Sequence, residues 1–266
     1  LNMGGPSNLF EVETFLKNMF ADPHILQVKS TFMRKIIGTI IVNKRLEEAK
    51  KNYQAIGGKS PITPTTFALT QKLNQLDPST YYTYAMRYTP PYADMVVMDL
   101  LHRGIEEIVL FSMYPQHSST TIQSSLQDFY TACQKHHYKP KISSINSYPT
   151  HPLYINLVAS SIVQSLGENN PQEYTLILSA HGLPHSLIDR GDLYEQHSKA
   201  TLEALKQKLL EQKIVFKEIL LSYQSKLGPM KWLEPSTKES VKNKTKVIIY
   251  PIAFSIDNSE TLFELD

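Results

Sequence analysis

His181 is the residue with the most chemistry to offer. It directly follows the apolar run Leu176–Ala180, and Gly182 and Pro184 turn the chain just beyond it. That order puts an imidazole at the carboxyl end of a buried strand, where open α/β sheets bind ligands. Such an imidazole serves as proton acceptor or metal ligand; a surface or capping histidine is the plainer alternative. A second group lies near the end of the chain. Asp257, Glu260 and Glu264 are three and four residues apart, which on a helix places them on one face. Asp257 and Glu260 fit a capping box, but Glu264 adds like-charge repulsion of ~0.2–0.5 kcal/mol. A row of carboxylates suits a hard cation or a proton relay, and a solvated acidic face is the alternative.

Three other motifs fail on inspection. Gly57-Gly58-Lys59-Ser60 ends like a phosphate-binding loop, but Tyr53 stands where its first glycine is needed, and Pro61 follows. Gly4-Gly5 is too short for a dinucleotide fingerprint. His181 and His185 lack the glutamate of a zinc-protease helix, and Pro184 lies between them.

The elements that must carry these residues alternate. Strands are expected at Tyr81–Tyr88, Glu107–Met113, Lys141–Tyr148, Tyr174–Ala180, Val215–Ser222 and Lys246–Ala253. Helices are expected from Leu9 after an Asn8 cap, and at Lys44–Ala55, Thr65–Leu76, Tyr92–Arg103, Thr120–His137, Leu153–Leu166 and Glu195–Gln212, with another from Ser259. Such alternation predicts an α/β fold with mostly parallel sheets. Val109-Leu110-Phe111, Leu176-Ile177-Leu178 and Val247-Ile248-Ile249 read as strands covered on both faces.

Composition narrows the classes. The 266 residues are 41% hydrophobic and 20% charged, enough apolar material for a core. No stretch reaches the ~18–20 apolar residues that span a bilayer. Net charge is +2, against a strongly basic nucleic-acid protein. Cys133 is the one cysteine, so these residues hold no disulfide framework, cysteine zinc site or iron–sulfur cluster. Lys29–Lys59 carries eight basic residues against Glu47 and Glu48, a local surplus suited to an acidic ligand, an anionic surface or simply a solvated helix face.

Several segments together resemble the ferrochelatase family. They are Leu1–Pro6, Ile56–Pro61, Met86-Arg87-Tyr88, Tyr114-Pro115-Gln116, Ser179–Pro184, Tyr223–Pro229, Trp232–Pro235 and Glu260–Asp266. Each is weak alone; eight in the family's order across the whole chain are specific. The resemblance implies insertion of ferrous iron, a substrate, into protoporphyrin or coproporphyrin. It implies two similar Rossmann-like halves, residues 1–150 and 151–266, with a cleft between them. No tightly bound cofactor is implied, and no iron–sulfur cluster.

By the same resemblance, His181 is the proton acceptor or metal ligand, and Glu260 faces it across the porphyrin and is the second metal contact. Glu264 and Asp257 line a path behind for protons or iron. Tyr53, Ser60 and Arg87 lie near the porphyrin or its supporting polar network. Met3, Trp232 and Tyr114 touch the macrocycle or pocket edge, and Lys44 or Arg45 neutralises propionates. Asn258 departs from the pattern, standing where many relatives have histidine. His117 and His185 fall where histidine is not typical and receive no role. The natural chain is expected to continue beyond both ends. A cytoplasmic enzyme is expected, without nucleic acid, and with peripheral inner-membrane contact through Phe15, Phe20, Ile25, Leu26 and Phe32 as an option beside ordinary helix core. A related chelatase for another metal or tetrapyrrole, or a non-catalytic porphyrin carrier lacking need of Glu260 and Glu264, remain as alternatives.

Overall fold

In the computed structural model of the chain, residues 1–226 and 230–265 are described. Leu227, Gly228, Pro229 and Asp266, which belong to two of the motifs above, lie outside them. Contacts gather into two units. The first comprises Leu1–Met113, Ser119–Asn146 and the residues from Ile256; the second comprises Tyr114–Ser118 and Ser147–Ser255.

In the first unit, Asn8 caps the opening turn. Its side chain accepts the Phe10 and Glu11 N–H groups, while Glu11 reaches back to the Ser7 N–H. Helix α1 (Val12–Ala21) follows, then α2 (Thr31–Ala55). α2 starts thirteen residues before the expected Lys44. Ile36, Ile37, Ile40, Ile41 and Val42 are β-branched and give little local helix signal. What supports that stretch is packing: a side chain at Gly38 would put its Cβ 3.2 Å from the Phe20 carbonyl oxygen of α1. α3 (Ile62–Leu76) and α4 (Ala93–His102) precede strand β1 (Glu107–Phe111), and a π-turn leads into α5 (Ser124–Lys135) and β2 (Lys141–Ile145).

The expected strand at Tyr81–Tyr88 is absent apart from a single bridging residue, Met86. The reason lies in α3: the Asn74 side chain accepts from the Tyr82 N–H and donates to the Tyr82 carbonyl. That occupies the backbone groups a sheet ladder requires. Only 85–88 run beside Leu1–Met3, which in turn meets the end of β1 through Met113. β1 and β2 pair in parallel. Their cover is one-sided. Leu110 is buried against α4 and α5 residues, whereas Val109 is 64% and Phe111 44% exposed. The reading of Val109–Phe111 as covered on both faces is therefore corrected. Cys133 lies within this core on α5, and burial pushes its thiol pKa up.

The second unit contains α6 (Pro152–Leu166), β3 (Thr175–His181), the short α7 (His185–Ile188), α8 (Tyr194–Glu211), β4 (Glu218–Gln224), α9 (Thr237–Ser240) and β5 (Val247–Pro251). Its sheet order is β4-β3-β5, all parallel. β3 is the central strand, and its residues Thr175–Ala180 are all buried. α6 and α8 pack their apolar faces on the sheet, with Ile162, Leu205 and Leu209 fully enclosed. The α/β class expected from strand–helix alternation is the class observed.

Candidate active site

The first unit brings its motif residues together through glycine. Gly4 has φ +79, and a Cβ there would fall 2.2 Å from Thr89 Oγ1; one on Gly5 would fall 2.5 Å from Ser60 Oγ. The Gly5 N–H donates to Thr89 Oγ1, and the Ser60 N–H to the Pro6 carbonyl. The missing side chains thus let the Met3 turn close onto buried Ser60. Tyr53, in the last turn of α2, is buried edge-on to Phe15. Its hydroxyl accepts from Ser259 Oγ at 3.4 Å. Burial is the main force raising its pKa to about 12, with the Glu260 charge adding to it and Ser259 opposing.

Glu260 and Glu264 sit on a single π-turn, and Asp257 precedes it. The expected capping partner, Asp257, is displaced by its neighbour. Asn258 Oδ1 accepts the Glu260 N–H at 2.8 Å and the Thr261 N–H at 3.3 Å, and Asp257 instead accepts from Thr261 Oγ1. Asn258 is buried, and its Nδ2 has no hydrogen-bond partner among the described residues. Spacing also allowed Asp257 as the cap; an Asn two residues before Glu260 is the signal for the side chain that accepts these N–H groups.

Arg87 is engaged in a buried network. Its Nη2 lies 3.0 Å from Asp22 Oδ2 and its Nη1 3.5 Å from Asp128 Oδ1, while its Nε donates to Ser124 Oγ. The Tyr88 and Ser124 hydroxyls also donate to Asp22. Burial pushes the Asp128 carboxyl up, opposed by Arg87. A cavity of about 430 Å³ opens beside this network, lined by Asp22, Arg87, Asp94, Asp128 and Lys135 among others. Lys44 is exposed on α2 and Arg45 half-buried.

In the second unit, His181 closes β3. Its Nδ1 lies 2.7 Å from the Gly182 carbonyl oxygen, which can only accept. In the neutral imidazole the proton is therefore on Nδ1, and the lone pair falls to Nε2. The His181 N–H donates to the Tyr194 hydroxyl on α8. Gly182 is required by close approach: a Cβ there would lie 2.6 Å from the Gln224 carbonyl oxygen, to which its N–H donates. The Trp232 ring lies on the same spot, 3.5 Å from that position, and Leu183 and Pro184 pair with 232–233. Gln224 in turn accepts from Ser179 Oγ. The motifs at 179–184, 223–226 and 232–235 thus form one constellation around His181. Tyr194 had no sequence signal, because thirteen residues separate it from His181. Tyr114 is buried at the head of the 114–118 loop, and Gln116 of that loop donates to Thr201. Among the described residues, no group of three or more His, Cys, Asp or Glu is placed to hold a metal ion.

Parallel strands with an imidazole at a carboxyl end give the α/β class in which ligands bind at the strand ends. The family model for ferrochelatase matches residues 1–266. A ferrochelatase of Helicobacter pylori (strain G27) is 54% identical over 269 residues, covering 100% of this chain and 80% of that protein. One of Wolinella succinogenes is 54% identical over 267 residues, covering 100% and 84%. One of Helicobacter hepaticus is 54% identical over 265 residues, covering 99% and 85%. The chain belongs to the ferrochelatase family, the metal-inserting lyases of haem synthesis.

Proposed function

We propose that the chain inserts ferrous iron into protoporphyrin IX or coproporphyrin III and that His181 Nε2 is the atom that receives a pyrrole proton or ligates the arriving iron. The observation that carries this is the hydrogen bond from His181 Nδ1 to the Gly182 carbonyl, which in the neutral ring assigns the lone pair to Nε2. Two protons must leave the macrocycle as the metal enters. Glu260 serves as the second metal contact and, with Glu264 and Asp257, as the route for protons or cation. Iron(II) accepts nitrogen and oxygen ligands, and the porphyrin itself supplies four nitrogens, so few protein ligands suffice.

Tyr53 stays a neutral hydroxyl beside Glu260, since burial holds its pKa near 12. Met3, Tyr114 and Trp232 supply contacts to the macrocycle. Ser60 and Arg87 act from the polar network behind it, and Lys44 or Arg45 meets the propionates. No tightly bound cofactor belongs to this reading, in which iron is the substrate. A single buried cysteine, Cys133, cannot anchor a four-thiolate cluster within these residues. The proposed location is the cytoplasm, with peripheral contact at the inner membrane. No helix among the described residues is long and apolar enough to cross a membrane.

The test is iron insertion with porphyrin binding measured separately by fluorescence. His181→Ala is expected to lower turnover ~10²-fold or more, in line with loss of a positioned base, with binding little changed. Near-normal turnover overturns the assignment. Glu264→Gln is expected to slow turnover more than it weakens binding, and an unchanged rate rejects the acid path.

A further inference from the structure

Helix α8 presents a polar row to which the reaction as described assigns no role. Tyr194, His197 and Thr201 are three and four residues apart, so they share one face. Each receives a hydrogen bond from a different residue. The Tyr194 hydroxyl accepts the His181 N–H at 2.9 Å, His197 Nδ1 accepts the His117 N–H at 3.1 Å, and Thr201 Oγ1 accepts from Gln116 Nε2 at 3.1 Å. Thr201 also donates to the Pro149 carbonyl. Just before the helix, Asp192 accepts from Ser118 Oγ and from the Tyr194 N–H. One helix face therefore anchors both the 114–118 loop and the backbone of His181.

Of these acceptors, His197 is the one that a proton removes on the acid side of neutrality. A backbone N–H can only donate, so His197 Nδ1 must hold a lone pair. An imidazolium carries hydrogen on both nitrogens and cannot accept. Its ring centroid lies 6.5 Å from that of His117, so a charge on one opposes a charge on the other. The ionisable groups facing His197 are His117 on the loop and Asp192 before the helix; Glu195, on α8 itself, pairs with Lys199 at 2.6 Å. Burial first, then His117, holds the His197 pKa below its ordinary 6.5, with Asp192 opposing.

We propose that His197 is a positioning residue: it fixes the Tyr114–Ser118 loop through the His117 N–H, and does so only while its imidazole is neutral. The consequence for catalysis rests on the reading of Tyr114 as a porphyrin contact. The sign follows from the lowered pKa. The anchor is in place above the ordinary value of 6.5 and is lost as pH falls through the lower value in the folded chain. His197→Asn keeps an oxygen where Nδ1 stands and does not titrate.

The experiment is hydrogen exchange of residues 114–118 in the intact protein at about pH 7.5 and about pH 5, corrected for intrinsic exchange, with porphyrin KM and kcat followed over the same range. In the wild type, the His117 amide is expected to lose about three- to tenfold in protection on the acid side, the worth of one hydrogen bond, with porphyrin KM rising by a similar factor. His197→Asn should retain both at acid pH, and His197→Leu should lack protection at both pH values. A wild-type amide equally protected at both pH values overturns the proposal without any variant. So does an acid loss of the same size in His197→Asn. If the exchange switches but KM does not follow, the anchor stands and the porphyrin role of Tyr114 falls.

Discussion

At the scale of single residues, the strongest constraint is the Arg87–Asp22 pair. The Asp22 side chain is 0% and the Arg87 side chain 21% exposed. Removing the guanidinium leaves a buried carboxylate held only by hydroxyls and a backbone N–H. Arg87→Met is therefore expected to lower unfolding free energy by about 3 kcal/mol, read by urea titration. Arg103→Met, which breaks an exposed pair with Asp99, should shift the curve far less; equal shifts would refute the buried-charge account. His181 was legible in the sequence because Leu176, Ile177, Leu178 and Ala180, interrupted by Ser179, read as a buried strand, and the residue after it falls at the rim. Asp22 was not legible. Its partners Tyr88, Arg87 and Ser124 are distant in sequence, and an aspartate before a proline reads as a helix stop.

At the scale of elements, the positive-φ glycines separate by cause. Gly4 and Gly191 both have positive φ, but only at Gly4 does a Cβ meet other atoms, whereas nothing lies within 4 Å at Gly191. Alanine at either position incurs about 1–2 kcal/mol for the left-handed backbone. Gly4→Ala must in addition displace Thr89 and with it the Gly5 N–H bond. Chemical denaturation should therefore rank Gly4→Ala well below Gly191→Ala, and the reverse order would sink the close-approach argument. Most helices were readable from their periodicity to within a few residues. The failures share a cause: tertiary contacts outvoted local pattern. Asn74 took the backbone of Tyr82 from a would-be strand, and Gly38 let α1 approach a β-branched stretch closely enough to pack on it as helix. Asn258, one residue from the expected cap, shows how little spacing says when two adjacent side chains can do the same work.

At the scale of the whole molecule, the near-neutral net charge of +2 hides a local arrangement. On α2, Phe32, Met33, Ile36 and Ile40 are exposed, at 72, 46, 40 and 50%, alongside exposed Lys29 and Lys35. Phe15 and Phe20, considered with Phe32 from sequence, are core instead. An apolar row with basic neighbours suits an anionic bilayer surface. Flotation with anionic vesicles is expected at low salt, weakening as salt is raised and in Phe32→Ser; recovery of all protein in the unbound fraction would dismiss the contact. The mostly parallel α/β class followed from the sequence but the strand order did not, since which strands neighbour which depends on crossovers that no local pattern encodes.

The solitary thiol of Cys133 has a use that its burial creates. It sits on α5 inside the core of the first unit, with its reactive thiolate form disfavoured. A thiol reagent then reaches it chiefly when that core opens. With no second sulfhydryl in the sequence to confuse the signal, the rate of labelling becomes a clock for the opening of one unit, needing no engineered probe.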